Sequence, residues 1–187
     1  QVLEAAKALG MGVKVHADEF TSSGGAELAA ELGAASADHL ARPSDDGLMA
    51  MARKDIVGVL LPGTPYTSMS GTYPDARRLI DIGVPIALGT DLNPNCWNES
   101  MQFTMSLACY KMRMTPAEAV TASTVNAAAA IGLEKKIGTL ETGKRADIVV
   151  MGVPSHSMIP CRFGTNLCEL VMKDGKVAWR KGPAPRL

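Results

Sequence analysis

Four side chains in this 187-residue sequence are of the kinds that hold metal ions and move protons, and three of them close short apolar runs. His16 follows Val13-Lys14-Val15 and opens His16-Ala17-Asp18-Glu19. A neutral imidazole is a good ligand for zinc or iron. Glu19 lies on the loop that follows, where it can face the same pocket. His39 ends Ala37-Asp38-His39 and can polarise a carbonyl or shuttle a proton near neutral pH. Asp91 follows Pro85-Ile86-Ala87-Leu88-Gly89-Thr90. A carboxylate there is costly unless it is paired or bound to a metal, so it can ligate an ion and accept a proton from water. Each residue also has a plainer reading. His16 can be a hydrogen-bonded strand-end histidine, Asp38-His39 a capping or salt-bridge pair, and Asp91 the start of an Asx-turn with Asn93 and Pro94. His16 and Asp91 are two ligands, whereas hydrolytic zinc normally takes about three from protein plus water. The remaining ligands must come from elsewhere, because His156, the other histidine, reads as a surface residue.

These residues need elements to carry them. The pattern predicts a helix over 1–9, a strand at 13–16, a helix over 25–34 and a strand at 37–40. It continues with a helix capped by Ser44 and running to Arg53, a strand at 57–61, a helix with Pro74 just inside and Gly83 just past it, and a strand at 85–89. Strands alternating with helices imply parallel β/α units. At about 30 residues per unit, four of them make half of an eight-unit barrel. His16, His39 and Asp91 then fall at the C-terminal ends of strands, where β/α barrels keep their chemistry. Leu61-Pro62-Gly63-Thr64-Pro65-Tyr66 reads as a stiff loop at that rim, from which Thr64 or Tyr66 can touch substrate, and Gly24-Gly25 reads as a turn. Further on, an amphipathic helix is expected over 99–111 and another over 115–131, opened by a Thr115/Glu118 capping box. Met101, Met105, Met112 and Met114 read as packing residues, and Arg77-Arg78 as a solvated helix face. Strand-like runs at 137–140, 146–151 and 170–172, with turns at Gly143 and 173–175, suggest a small appended β unit, and the Pro-rich tail after Arg180 is expected to be frayed. The expected fold class is therefore α/β: the C-terminal half of a TIM-type (β/α)8 barrel over 1–132, plus part of a small β-sandwich over 133–187.

Composition narrows the function. The chain is 47% hydrophobic and 20% charged, ordinary for a globular protein with a core. Nineteen basic and nineteen acidic residues cancel, so nothing points to nucleic acid or an anionic membrane surface. No apolar run approaches the roughly 20 residues of a membrane span. Cys96, Cys109, Cys161 and Cys168 form no C-x-x-C pair and read as reduced thiols in a cytoplasmic protein. The first residues, Gln1-Val2-Leu3-Glu4-Ala5-Ala6-Lys7, read as mid-helix, without an initiator Met or a signal-peptide layout, so the sequence is expected to begin inside a larger protein.

His16, His39 and Asp91, in this order and spacing, resemble the last three ligand and catalytic positions of the amidohydrolase superfamily. Gly138-Thr139-Leu140-Glu141-Thr142-Gly143-Lys144-Arg145-Ala146-Asp147-Ile148-Val149 resembles that superfamily's return into its small β-sandwich. Several segments are similar to the imidazolonepropionase family in particular: His16-Ala17-Asp18-Glu19, Ala37-Asp38-His39-Leu40, Leu60-Leu61-Pro62-Gly63-Thr64, Thr90-Asp91-Leu92-Asn93-Pro94 and Met112-Arg113-Met114-Thr115-Pro116. The resemblance implies one zinc or iron ion per subunit, held by His16, Asp91 and a His-x-His pair that this sequence lacks. It implies catalytic roles for Asp91, His39 and Glu19, and substrate contacts at Glu19, Asn93, Asn95 and Cys96, with Asn95 standing where many members have Gly. The implied reaction is hydrolysis of the cyclic amide C–N bond of 4-imidazolone-5-propanoate to N-formimidoyl-L-glutamate in histidine degradation. A small-molecule substrate and a homodimer at full length go with it. Another amidohydrolase, such as a cyclic-ureide hydrolase or a deaminase, and a non-catalytic barrel protein are the alternatives. With the His-x-His strand and four β/α units absent, the chain alone is expected to bind metal poorly and to be inactive.

Overall fold

The structure is a computed structural model in which residues 1–182 are described. Most of the tail expected to be frayed, residues 183–187, lies outside them. Strands β1 (Lys14–Ala17), β2 (Ser36–His39), β3 (Val57–Leu60) and β4 (Ile86–Leu88) form a parallel sheet in sequence order. Helix α1 (Val2–Ala8) precedes β1. The crossovers carry α2 (Gly25–Leu32), α3 (Asp45–Ala52), and a short α4 (Gly63–Thr67) followed by α5 (Ala76–Ile82). Four consecutive parallel β/α units are the half-barrel expected from the alternating pattern.

Strand alternation divides the sheet's two faces. Val15, Ala17, Ala37, Leu60, Ile86 and Leu88 point to the helices and join Leu48, Met51 and Leu79 in the main core. Val57, Val59, Leu61 and Ala87 point the other way and pack on Ala130 of α8 (Val125–Ala130). Asn126 of α8 donates from Nδ2 to the Ile86 carbonyl at 2.7 Å, which fixes this helix against the start of β4. Toward β1 the same face turns polar: Lys14 Nζ donates to Ser36 Oγ at 2.5 Å and lies 3.3 Å from Asp38 Oδ1.

Several local expectations hold. The Ser44 hydroxyl accepts from Gly47 N–H at 2.9 Å and starts α3. Both halves of the Thr115/Glu118 capping box are present at α7 (Pro116–Ser123). Met105, Met112 and Met114 are in the main core with Met101 packed on it, and the four cysteines are free.

Others are corrected. Pro74 lies before α5, not inside it; Asp75 is the cap, accepting from Arg78 N–H at 3.2 Å. The expected helix over 115–131 is two helices. It breaks at Thr124 (φ −126°, ψ −83°), whose hydroxyl donates to the Val120 carbonyl at 2.8 Å and so competes with the backbone ladder. Residues 137–140 are not a strand. Gly138 takes φ +98° and packs so close to α8 that a Cβ there would meet Ala128 Cβ at 2.8 Å. Helix α6 (Met101–Met112) is not two-faced, since Thr104 to Ala108 are all buried; α9 (Met158–Cys161) covers it, and Ser106 Oγ donates to the Pro160 carbonyl at 2.8 Å. The arginine pair is not merely solvated. Arg77 reaches Glu118 at 2.6 Å, tying α5 to α7, and Arg78 reaches Asp45 of α3.

Beyond Gly132 lies the small β unit, an antiparallel sheet of β5 (Ile148–Met151), β6 (Cys168–Lys173) and β7 (Lys176–Arg180). Asp174 (φ +51°) and Gly175 (φ +73°) supply the two left-handed residues of a tight hairpin turn between β6 and β7. Neither β7 nor α9 was expected from the pattern. Among the described residues, no helix is long and apolar enough to cross a membrane.

Candidate active site

Parallel pairing sets Ala17 beside His39 and His16 beside Asp38. Strict alternation would send the His39 side chain to the helix side, with Ala37. Instead His39 and Leu40 take φ +76° and +54°, which breaks the alternation. Leu40 enters the core, and the two imidazole rings come to 4.1 Å between centroids at a tilt of 47°. Asp18 (φ +49°) and Asp91 (φ +55°) are left-handed too, so the connections after β1, β2 and β4 each bend sharply at the same rim. Left-handed non-glycine residues cost energy and gather at functional sites.

Glu19 bridges the two rings. Its Oε2 lies 2.6 Å from His16 Nε2 and its Oε1 lies 3.7 Å from His39 Nδ1. Donor atoms of His16, Glu19 and His39 all lie within 4.8 Å of one another. The side chains of His39 and Glu19 are 5% and 12% exposed, whereas His16 is 66% exposed, so the cluster is walled on one side and open to a ligand on the other. Burial lowers the His39 pKa from its ordinary value, against the opposing pull of Glu19 and Asp91 and with help from His16. The burial of His39 thus favours the neutral imidazole.

Asp91 is not in that cluster of donors. It stands on the adjoining wall, where Thr64 Oγ1 donates to its Oδ2, and its charge is near enough to act on His39. Thr64 reaches it because α4 packs tightly: a Cβ on Gly63 would meet Cys96 Sγ at 2.9 Å and the Thr90 carbonyl at 3.1 Å. The rim expected to be a stiff loop is thus a helical turn. Thr64 lines the cleft, while Tyr66 packs edge-on against Phe103 at 5.4 Å. Asn93 organises the loop after Asp91, donating to the Asp91 carbonyl at 2.7 Å and accepting from the N–H groups of Asn95 and Cys96 at 2.8 and 3.2 Å. The Asx-turn weighed for Asp91 is thus made by the Asn93 side chain, while the Asp91 carboxylate takes the Thr64 hydroxyl. Asn95 is exposed, and Cys96 is fully buried with its thiol toward the Thr90 carbonyl. His156 is exposed, as expected.

Sequence reasoning missed Asp18. This carboxylate is 3% exposed and accepts from the N–H groups of Ser23, Gly25 and Ala26 at 2.8, 3.2 and 2.9 Å. It satisfies amide donors at the start of α2 and tethers the loop between His16 and Glu19. Gly25 makes this possible, because a Cβ there would sit 2.7 Å from Ala17 Cα. An acid just after a strand and a Gly-Gly pair just before a helix were the available signals.

Beside Glu19, His39 and Thr64 lies a small cleft, partly open to solvent, lined also by Arg42, Ser68 and Thr72 among others. The Amidohydrolase family profile matches residues 1–178. The chain belongs to that family. It is 52% identical to an imidazolonepropionase of Geobacillus thermodenitrificans over 183 residues, 97% of this chain and 43% of the relative. An imidazolonepropionase of Symbiobacterium thermophilum is 48% identical over 187 residues, 100% of this chain and 44% of the relative. The resemblance to imidazolonepropionases thus extends over the whole amidohydrolase segment, and the chain spans less than half the length of these curated relatives. Among solved structures, an adenosine deaminase from Xanthomonas campestris with bound zinc superposes with a TM-score of 0.76 at 19% identity, over 93% of this chain and 46% of that one. A Xaa-Pro dipeptidase superposes with a TM-score of 0.75 at 22% identity, over 96% and 47%. At such identities the likeness speaks for the fold: a partial barrel with a small antiparallel sheet.

The donor set suits the metal cofactor of this family. Two imidazoles and a carboxylate converge, with a second carboxylate on the next wall, and nitrogen and oxygen donors are what zinc and non-haem iron take.

Proposed function

We infer that the protein carrying this chain hydrolyses the cyclic amide of 4-imidazolone-5-propanoate to give N-formimidoyl-L-glutamate. The observation that carries the reading is Glu19 set between His16 and His39 at 2.6 and 3.7 Å, a carboxylate placed to accept a ring N–H beside a metal-ligating imidazole. Identities near 50% to imidazolonepropionases support it.

One zinc or iron ion per subunit would be held by His16 and Asp91 with further ligands from the rest of the protein, and when bound it would activate water as a nucleophile. Asp91 accepts the proton of the attacking water and returns it to the leaving ring nitrogen. The Thr64 hydroxyl, bonded to one Asp91 oxygen, fixes how the carboxylate presents the other. Neutral His39 donates a hydrogen bond to the carbonyl oxygen as negative charge develops there. Glu19 orients the ring, and the loop from Asn93 to Asn95 meets the substrate's polar groups; Cys96, fully buried with its thiol on the Thr90 carbonyl, packs beneath that loop and does not touch substrate. The full-length protein acts as a homodimer in the cytoplasm.

The test is turnover by the full-length protein, following loss of the imidazolone chromophore and formation of N-formimidoyl-L-glutamate. Activity that disappears in Glu19→Gln and under chelation is expected. Turnover of guanine or adenosine with none of imidazolonepropanoate would replace this reading by a deaminase.

A further inference from the structure

One wall of the cleft has no part in the chemistry above. Arg42 lies just past His39 on the connection from β2 to α3, its N–H held by the Asp18 carbonyl at 2.8 Å. Its guanidinium Nη2 donates to Thr72 Oγ1 at 3.1 Å. Ser68, Ser70 and Thr72 share this wall, and Glu19 and His39 line the same cleft. Arg77, Arg78 and Arg145 each pair with a carboxylate, but among the described residues Arg42 has no carboxylate within 4.0 Å. It is exposed at the edge of the cleft, and a single hydroxyl uses one of its five N–H donors. A guanidinium with open donors on the wall of a cleft, beside neutral hydroxyls, is a fork shaped for a carboxylate. The wall is built from the connections after β2 and β3, the two inner strands of the order β1-β2-β3-β4, so this chain alone supplies it.

We propose that Arg42, steadied by Thr72, is a carboxylate-binding subsite of the cleft. The ligand class rests on the function proposed above. Water adds across the ring C–N bond. The carbonyl carbon gains the water oxygen and becomes a carboxylate, the ring nitrogen gains a proton, and one proton leaves to solvent. The substrate carries one carboxylate and the product two. Arg42 takes either the propanoate of the substrate or the carboxylate newly formed near His39.

The test uses the full-length protein and its Arg42→Gln, Arg42→Lys and Thr72→Val variants, with glutarate as the calorimetric probe and KM for substrate and Ki for product as kinetic readouts. Arg42→Gln weakens glutarate by about tenfold or more, the size of a lost charged hydrogen-bond pair. Arg42→Lys falls between, because it keeps the charge and loses the fork. Thr72→Val costs less, about two- to threefold, because it removes a hydrogen bond that steadies the fork and leaves the carboxylate's own partner in place. A KM that rises in parallel puts the substrate's own carboxylate at Arg42; a raised product Ki at unchanged KM puts the new one there. Failure of the parent to bind glutarate, or equal binding by the folded variants, overturns the subsite. Arg42-dependent glutarate binding in a protein that leaves imidazolonepropanoate untouched keeps the subsite and removes the proposed reaction. If Arg42→Gln does not fold, the Lys and Val variants carry the same decision.

Discussion

Leu60 in β3 is wholly buried, whereas Val150 in β5 and Trp179 in β7 keep 45% and 44% of their surface in solvent. Both sheets contain apolar strand-formers. The parallel sheet lies under helices on one face and against α8 on part of the other. The antiparallel sheet relies more on charge: Asp147 accepts from Arg145 at 2.7 Å, from Lys173 at 2.5 Å and from the Asp174 N–H at 2.9 Å. These contacts, led by the Lys173 bond, hold its carboxyl well below the ordinary carboxylate range. The difference shows where rigidity is placed. The sheet that carries the site is fixed by burial, and the appended sheet by its hairpin and surface ion pairs.

The contrast can be broken by mutation. Leu60→Ala should cost about 2–5 kcal/mol of unfolding free energy, and Val150→Ala under about 1 kcal/mol, because the cost scales with burial and the cavity left behind. Urea titration of both variants measures this, and equal losses would mean that the small sheet has a core of its own. Asp18→Asn should cost about 1–3 kcal/mol, since it weakens a buried acceptor of several amide bonds. It should also loosen the His16–Glu19 loop, seen as faster amide exchange at Gly25 and Ala26.

A third effect is set by pH. Burial alone would raise the Glu118 pKa, but hydrogen bonds from Thr115 N–H and Arg77 leave it below its ordinary 4.5. A carboxyl with a lowered folded pKa adds stability above its unfolded value, and that stability is lost as pH falls through the folded value. The protein should therefore lose stability from about pH 4.5 downward, and Glu118→Gln should flatten that part of the profile; an unchanged acid limb would leave the Arg77–Glu118 link energetically silent. The smallest effect is expected in the appended sheet. Asp147→Asn should shift thermal unfolding slightly, and less near 1 M salt than at low salt, because added salt weakens exposed ion pairs. A large, salt-independent loss would place Asp147 among the supports of the core.

Much of this arrangement was legible from residue order. The β/α alternation gave the parallel sheet, and the Ser44 and Thr115/Glu118 caps formed because capping depends on neighbours within a single turn. The misses came where distant groups decided. Residues 137–140 looked like a strand but met α8 instead of a partner, and Arg77-Arg78 looked solvated until Glu118 and Asp45 came within reach. Asp18 was passed over because its amide partners lie across a loop, at the start of the next helix.

What the sequence determined by itself is the set of chemical groups and the strand end on which each stands, since both follow from local period and residue type. Their meeting was decided by tertiary structure. His39 turns toward His16 through a left-handed backbone that no alternation rule predicts, Glu19 reaches both rings because Asp18 and Gly25 pin its loop to α2, and Asp91 meets Thr64 because Gly63 lets α4 close in. Such placements depend on tight backbone approaches between segments far apart in the chain, and those distances are fixed only when the sheet and its helices pack.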